Sequence, residues 1–131
     1  MNKLQLSVTT NEDFFRYWVE FMYPIHKLSP ANRNVLAAYL INLDEISKSI
    51  LDKDLLNEVV NSKSFLKKVA DNANISLHRV QVSMIEMTKH NVFDRILIEE
   101  KKRKYQYILK KLLIPTIENN TLLLQIKICQ K

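Results

Sequence analysis

The chain contains no glycine in its 131 residues. Average usage near 7% would give about nine. Glycine alone enters the left-handed backbone region without a steric cost, so every such turn here must be made by another residue. That residue must be Asn or Asp, the next most tolerant, and Asn72, Asn74, Asn91, Asn119 and Asn120 stand where turns are expected. Glycine-rich phosphate loops, nucleophile elbows and dinucleotide fingerprints are excluded, because each needs glycine backbone. The expectation is a set of helices joined by short, Asn-containing turns.

With 47% hydrophobic and 26% charged residues, the composition is that of an ordinary globular chain of one domain. No apolar run approaches the roughly 18–20 residues of a membrane-spanning helix. The first fifteen residues, MNKLQLSVTTNEDFF, lack an apolar secretory core and a cleavage site, so a soluble protein made in a reducing compartment is expected. A single cysteine, Cys129, allows neither an internal disulfide nor a Cys-based zinc site.

The net charge of +6 is unevenly placed. Residues 1–60 carry six basic and eight acidic groups, whereas residues 61–131 carry fourteen basic and six acidic ones. The densest run is Lys101-Lys102-Arg103-Lys104, followed by Lys110 and Lys111. Such a half suits an anionic partner, nucleic acid or an acidic protein surface, and also suits a solvated face.

Along the chain, Lys3–Val8 alternates apolar and polar residues as a short strand or extended arm. Thr10 is positioned to cap a helix that carries Phe14, Phe15, Trp18, Val19, Phe21 and Met22 and ends at Pro24. Ser29-Pro30 starts a second helix, with Ser as N-cap and Pro at the first helical position, running through Leu43. A polar connector over 44–54 leads to a short helix bearing Leu55, Leu56, Val59 and Val60. Ser62 caps the next helix, broken at Asp71–Asn74, where Ile75 plugs the turn from inside. Ser76 caps another that runs to about His90, with Asn91 as its left-handed cap. Val92–Ile98 reads as a strand. Over Glu99–Leu112 the spacing of Tyr105, Ile108 and Leu109 predicts a basic amphipathic helix with Lys101, Lys102, Lys104 and Lys111 outward. Leu113–Ile117 and Thr121–Ile128 flank Asn119-Asn120 as a tight hairpin.

Residues 62–93 thus have the grammar of a helix-turn-helix, and helices followed by a hairpin is the order of a winged helix. The expected fold is mostly α with a small β part (α+β). Its parts are an N-terminal arm and helix (1–28), a helical core with the helix-turn-helix (29–93), and a basic helix with a hairpin wing (94–131). From Pro24 to Phe93, with an echo in Leu113–Ile128, the chain resembles small winged-helix proteins encoded by large tailed bacteriophages, the crAss-like group among them. The likeness rests on Leu28-Ser29, VLAAYL at 35–40 and KKVADNANISLHRVQVSMIEMTKHNVF at 67–93. That family usually has glycine where this chain has Asn91. The resemblance implies a structural or assembly component of a tailed phage virion, at the head–tail connection or tail, made in the host cytoplasm. Its partners would be other virion proteins or copies of itself. A DNA-binding regulator or packaging-associated protein is the alternative.

If Val80, Met84 and Met87 face inward, the last helix of the motif presents His78, Val82, Ile85 and Lys89, flanked by Arg79, Gln81 and Ser83. Val82, Ile85 and His78 are candidates for a protein interface, where exposed aliphatic side chains belong. Arg79, Gln81, Lys89, Lys101, Lys102, Arg103, Lys104, Lys110 and Lys111 are candidates for base or phosphate contact. No catalysis, metal, cofactor, small-molecule substrate or membrane contact is expected. His26, His78 and His90 are not at ligand spacing, Asp44, Glu45, Asp52 and Asp54 lie in the polar connector, and Cys129 reads as an apolar filler.

Overall fold

The computed structural model describes residues 2–6, 11–99, 104–110, 113–114, 117–118 and 121–126, with side chains over 12–97, 105–110 and 113–114. In chain order the elements are β1 (Asn2–Leu6), α1 (Asn11–Phe21), α2 (Tyr23–His26), α3 (Pro30–Ser47), α4 (Lys53–Val60), α5 (Lys63–Ala73) and α6 (Leu77–Lys89). Four strands follow: β2 (Phe93–Glu99), β3 (Lys104–Leu109), β4 (Ile117–Glu118) and β5 (Thr121–Ile126). The protein is mostly helical with small antiparallel sheets, an α+β arrangement.

α3 is the centre of the molecule. Ser29 caps it by accepting the Asn32 N–H at 3.3 Å, and Pro30 begins it where no N–H is needed. Six consecutive residues, Val35 to Leu40, are each at most 2% exposed. A helix apolar on all sides must be covered on all sides. α1, α5 and α6 supply that cover, and Tyr39 sets its ring edge-on against Phe65 of α5 and Phe93 of β2, with centroids 5.3 and 5.0 Å apart. The helix continues past the expected connector at Asp44 to Ser47. Its polar last turns are solvated, and Lys48 pairs with Asp44 one turn back at 3.4 Å.

α5 and α6 pack against each other across a short turn. Ser62 and Ser76 cap them, accepting the N–H groups of Phe65 and Arg79, each at 3.1 Å. Asn74 takes the left-handed conformation (φ 59°) after α5, and the Ile75 N–H returns to the Ala70 carbonyl at 3.0 Å. Ile75 is half-buried and packs against the core. Asn34 of α3 donates its side-chain N–H to the carbonyl of Ala73, the last residue of α5, at 2.9 Å, fastening the end of that helix. After α6, Asn91 is left-handed (φ 61°), as expected.

Residues 104–109 are a strand, which corrects the helix expected over Glu99–Leu112. β2 and β3 form an antiparallel hairpin, pairing Phe93 with Leu109, Arg95 with Tyr107 and Leu97 with Tyr105. The three-and-four spacing of Tyr105, Ile108 and Leu109 coexists with a two-residue spacing of Tyr105, Tyr107 and Leu109. Tertiary contacts select the second. Leu109 is buried beside Phe93, and Tyr107 packs on the core. Asn61, between α4 and α5, behaves like an extra strand residue. Its Oδ1 accepts the Tyr107 N–H at 2.6 Å and its Nδ2 donates to the Tyr107 carbonyl at 3.1 Å. A helix over this segment would leave both groups of Asn61 without these partners.

The hairpin that follows α6 is therefore β2–β3, and the hairpin role expected for 113–128 is reassigned. β4 and β5 do pair around residues 119–120 as expected, but β5 takes β1 as its longer partner, from Asn2 opposite Ile126 to Leu6 opposite Leu122. Trp18 of α1 donates its indole N–H to the Leu113 carbonyl at 2.9 Å, linking the first helix to the chain beyond the hairpin.

Asn61→Ala should destabilise the protein by about 1–3 kcal/mol in urea unfolding, since it strips partners from partly buried backbone. An unchanged midpoint would refute the strand-mimic role. Ser83, fully buried on α6 with no partner for its hydroxyl among the described residues, gives the opposite sign. Ser83→Ala should raise stability by about 1 kcal/mol, and a loss of similar size would reveal a hidden partner.

Candidate interaction site on the sixth helix

α6 buries Val80, Ser83, Met84 and Met87 against α3, α5 and β2. Ser83 was expected on the flank of the outward face; a residue three after Val80 and one before Met84 shares their side of the helix, and its small side chain fits there. The outward face carries exposed His78, half-buried Val82, exposed Ile85 and exposed Lys89. Two aliphatic side chains occupy its centre, with basic or imidazole groups only at its ends.

Gln81 is exposed on one flank. Arg79 on the other is held by Glu86, guanidinium to carboxylate 3.5 Å apart with both side chains near 40% exposed. The carboxylate beside it offsets part of the arginine's charge, and a pair this exposed contributes little to stability. Glu86 was not singled out in the sequence, although a spacing of seven places it two turns from Arg79 on one side.

The basic run is only partly within reach. Lys101, Lys102, Arg103 and Lys111 lie outside the described residues, as does Cys129, and Lys104 is described in its backbone as the first residue of β3. Lys110 lies 3.3 Å from Asp94. Arg95, across the strand pair, stacks its guanidinium over Tyr105 at 4.2 Å. Exposed Ile96 and Leu97 lie along β2.

The histidines do not form a cluster. His78 is exposed at the start of α6 and His90 follows its end, whereas His26 is a buried structural group. Its Nε2–H donates to the Val19 carbonyl at 2.8 Å and its Nδ1 accepts the Leu28 N–H at 2.9 Å. Nδ1 can accept only when the ring is neutral, so the pair of bonds together requires the neutral form. Together they clamp the loop in which Lys27 is left-handed at φ 50°. That residue departs from the expectation that only Asn or Asp would take this conformation. Among the described residues no three His, Cys, Asp or Glu side chains converge as metal ligands. A cavity of about 610 Å³ lies between α3, α4 and β3, lined chiefly by apolar side chains such as Leu40, Leu43 and Leu56. No described histidine or cysteine lines it. No described helix is long and apolar enough to cross a membrane.

No protein-family model matches the chain, and no curated protein or solved structure matches it.

Burial holds the His26 pKa below the ordinary value of 6.5. The Val19 carbonyl and Glu20 oppose this, and Arg33 and His90 reinforce it. The unfolded chain then takes up the proton first, so the stability contributed by neutral His26 is whole above pH 6.5 and is lost as pH falls below it. Melting temperature should therefore drop between pH 7.5 and 5.5, and less so in His26→Gln. Parallel curves for the two proteins would rule His26 out as the source.

Proposed function

We propose that this protein is a non-enzymatic winged-helix module that acts through protein contacts, with α6 and the β2–β3 hairpin as its working side. The support for the fold is the order of packed elements: α3, α5 and α6 around one core, then an antiparallel hairpin directly after α6. The observation that carries the function is the outward face of α6, where Val82 and Ile85 stand at the centre and Arg79 is engaged by Glu86. Aliphatic anchors with charge at the periphery suit a protein partner better than a groove of hydrogen-bonding base edges. The resemblance of residues 24–93 to tailed-phage proteins makes a structural or assembly component of the virion the concrete form of this reading. Its partners are then copies of itself or other virion proteins.

The charge of residues 61–131 favours a second reading, a DNA-binding regulator or packaging-associated protein in the host cytoplasm. Titration onto random and selected duplexes at two salt concentrations separates the two. The assembly reading expects weak, sequence-indifferent binding lost steeply with salt, and self-association in sedimentation velocity that Ile85→Glu abolishes while circular dichroism stays unchanged. Nanomolar, sequence-specific binding at physiological salt, weakened by Arg79→Ala or Gln81→Ala by about 1–3 kcal/mol each, would replace it with the regulator.

A further inference from the structure

The cavity between α3, α4 and β3 holds an unsatisfied polar group. Tyr39, Leu40, Leu43 and Ser47 line it from α3, so it follows that helix for two turns, roughly 12 Å at ~1.5 Å per residue. Ser47 and Lys53, on either side of the connection over 48–52, lie at one extremity together with Asp44. Leu40, Leu43, Leu56, Val60 and Leu109 make the remainder apolar. At about 610 Å³ it has the size of a small-molecule site, for which about 300–1,000 Å³ is usual.

The group that points to a ligand is the Tyr39 hydroxyl. Tyr39 is 1% exposed, and its ring is fixed by Phe65 and Phe93. The hydroxyl makes no hydrogen bond to a described residue, and burial alone pushes its pKa above the ordinary value of 10. It stays protonated and keeps a proton to donate. Among the described residues, the side-chain polar atoms that are both sealed and unbonded belong to Asn32, Asn72 and Ser83. The Tyr39 hydroxyl is not one of them, so it reaches open space, and the space that Tyr39 lines is this cavity. A buried water needs about two to four polar partners, and the side chains of Leu40, Val60 and Leu109 offer it none. A phenol so placed is completed by an acceptor oxygen carried on an apolar molecule.

The walls also set the charge of that molecule. The apolar part of the cavity has no charged side chain, so an ion there would lose its hydration without gaining a partner. At the polar end Asp44 and Lys53 carry opposite charges and favour neither sign. We infer that this cavity binds an uncharged, largely apolar small molecule that places one acceptor oxygen, of a carbonyl or an ether, on the Tyr39 hydroxyl. Its apolar body lies along Leu40, Leu43 and Leu56. Tyr107, Ile108 and Leu109 of β3 form one wall, so the occupant braces the hairpin against α3 and α4. No described residue of α6 lines the cavity, which keeps this site separate from the outward face of that helix.

The test is a methyl ¹H–¹³C titration of the whole protein with acetophenone, whose ketone supplies the acceptor, and with ethylbenzene, which lacks it. Saturable shifts are expected with both at Leu40, Leu43, Leu56 and Leu109, with acetophenone binding tighter. Tyr39→Phe keeps the ring contacts and removes only the hydroxyl. It should weaken acetophenone by about three- to tenfold, the weight of one neutral hydrogen bond, and leave ethylbenzene unchanged. Without ligand this variant should melt no lower than the native protein, because no protein partner is lost. Leu43→Trp, which fills the space from a half-buried position, should abolish both titrations while circular dichroism stays unchanged. Benzoate, of similar size but charged, should bind about tenfold more weakly than acetophenone. No saturable shift with either neutral probe, the result expected if another part of the chain or a partner's side chain fills the cavity, would overturn the inference. So would equal loss of both probes in Tyr39→Phe, a lower melting temperature of that variant, undiminished binding in Leu43→Trp, or benzoate binding as tightly as acetophenone.

Discussion

Tyr39 is the point through which the structure is joined. Its ring meets Phe65 and Phe93 edge-on, at interplanar angles of 79° in both cases, so one side chain of α3 touches α5 and the first residue of β2. Edge-to-face pairs favour particular geometries beyond the area they bury. Fixing these two rings fixes where α5 begins its course along α3 and where the chain leaves α6 to enter the hairpin. α6 is then confined between them, with Val80, Met84 and Met87 inside. The orientation of its outward face is a consequence of this confinement, because the buried stripe leaves only one set of positions for solvent.

The absence of glycine shapes how this core is connected. Three residues adopt positive φ among the described ones, and two are the asparagines that follow α5 and α6. Each lets a helix close without a long loop, which keeps α5 near α6 and α6 near β2. The third, Lys27, is tolerated because its neighbours hold it: His26 is bonded on both ring nitrogens and Leu28 is 1% exposed. A strained turn persists only where its surroundings determine it, and here a buried imidazole does so. The surface at the start of α3 thereby depends on a group that must remain neutral.

Most of the helical architecture was legible from local chemistry. Ser29, Ser62 and Ser76 announce helix starts because the cap bond is made within three residues. Asn91 announces an end for the same reason. What was not legible depended on distant partners. Tyr105, Ile108 and Leu109 satisfy a helical period, and only Phe93 and the side chain of Asn61, 46 residues from Tyr107, decide for a strand. The polar end of α3 looked like a connector because acidic residues on a solvated helix resemble a loop in composition. The outward residues of α6 were readable from periodicity, but Glu86 was not weighed against Arg79, nor Ser83 placed among the buried residues.

The two sides of α6 make different demands on a partner. Ile85 and Val82 face outward where water leaves readily on contact, whereas Arg79 and Lys89 border a concave space with the start of α3. Charge alone cannot assign the first face, because the excess of cations in residues 61–131 is spread over α5, α6 and the strands that follow. Surface cations act over about 8–10 Å at physiological salt, so they bring an anionic surface near without specifying how it seats. Seating is decided at short range, by aliphatic contact and by the pairing of Arg79. With Glu86 beside it, part of the arginine's charge is offset, and the aliphatic side chains occupy the centre of the face.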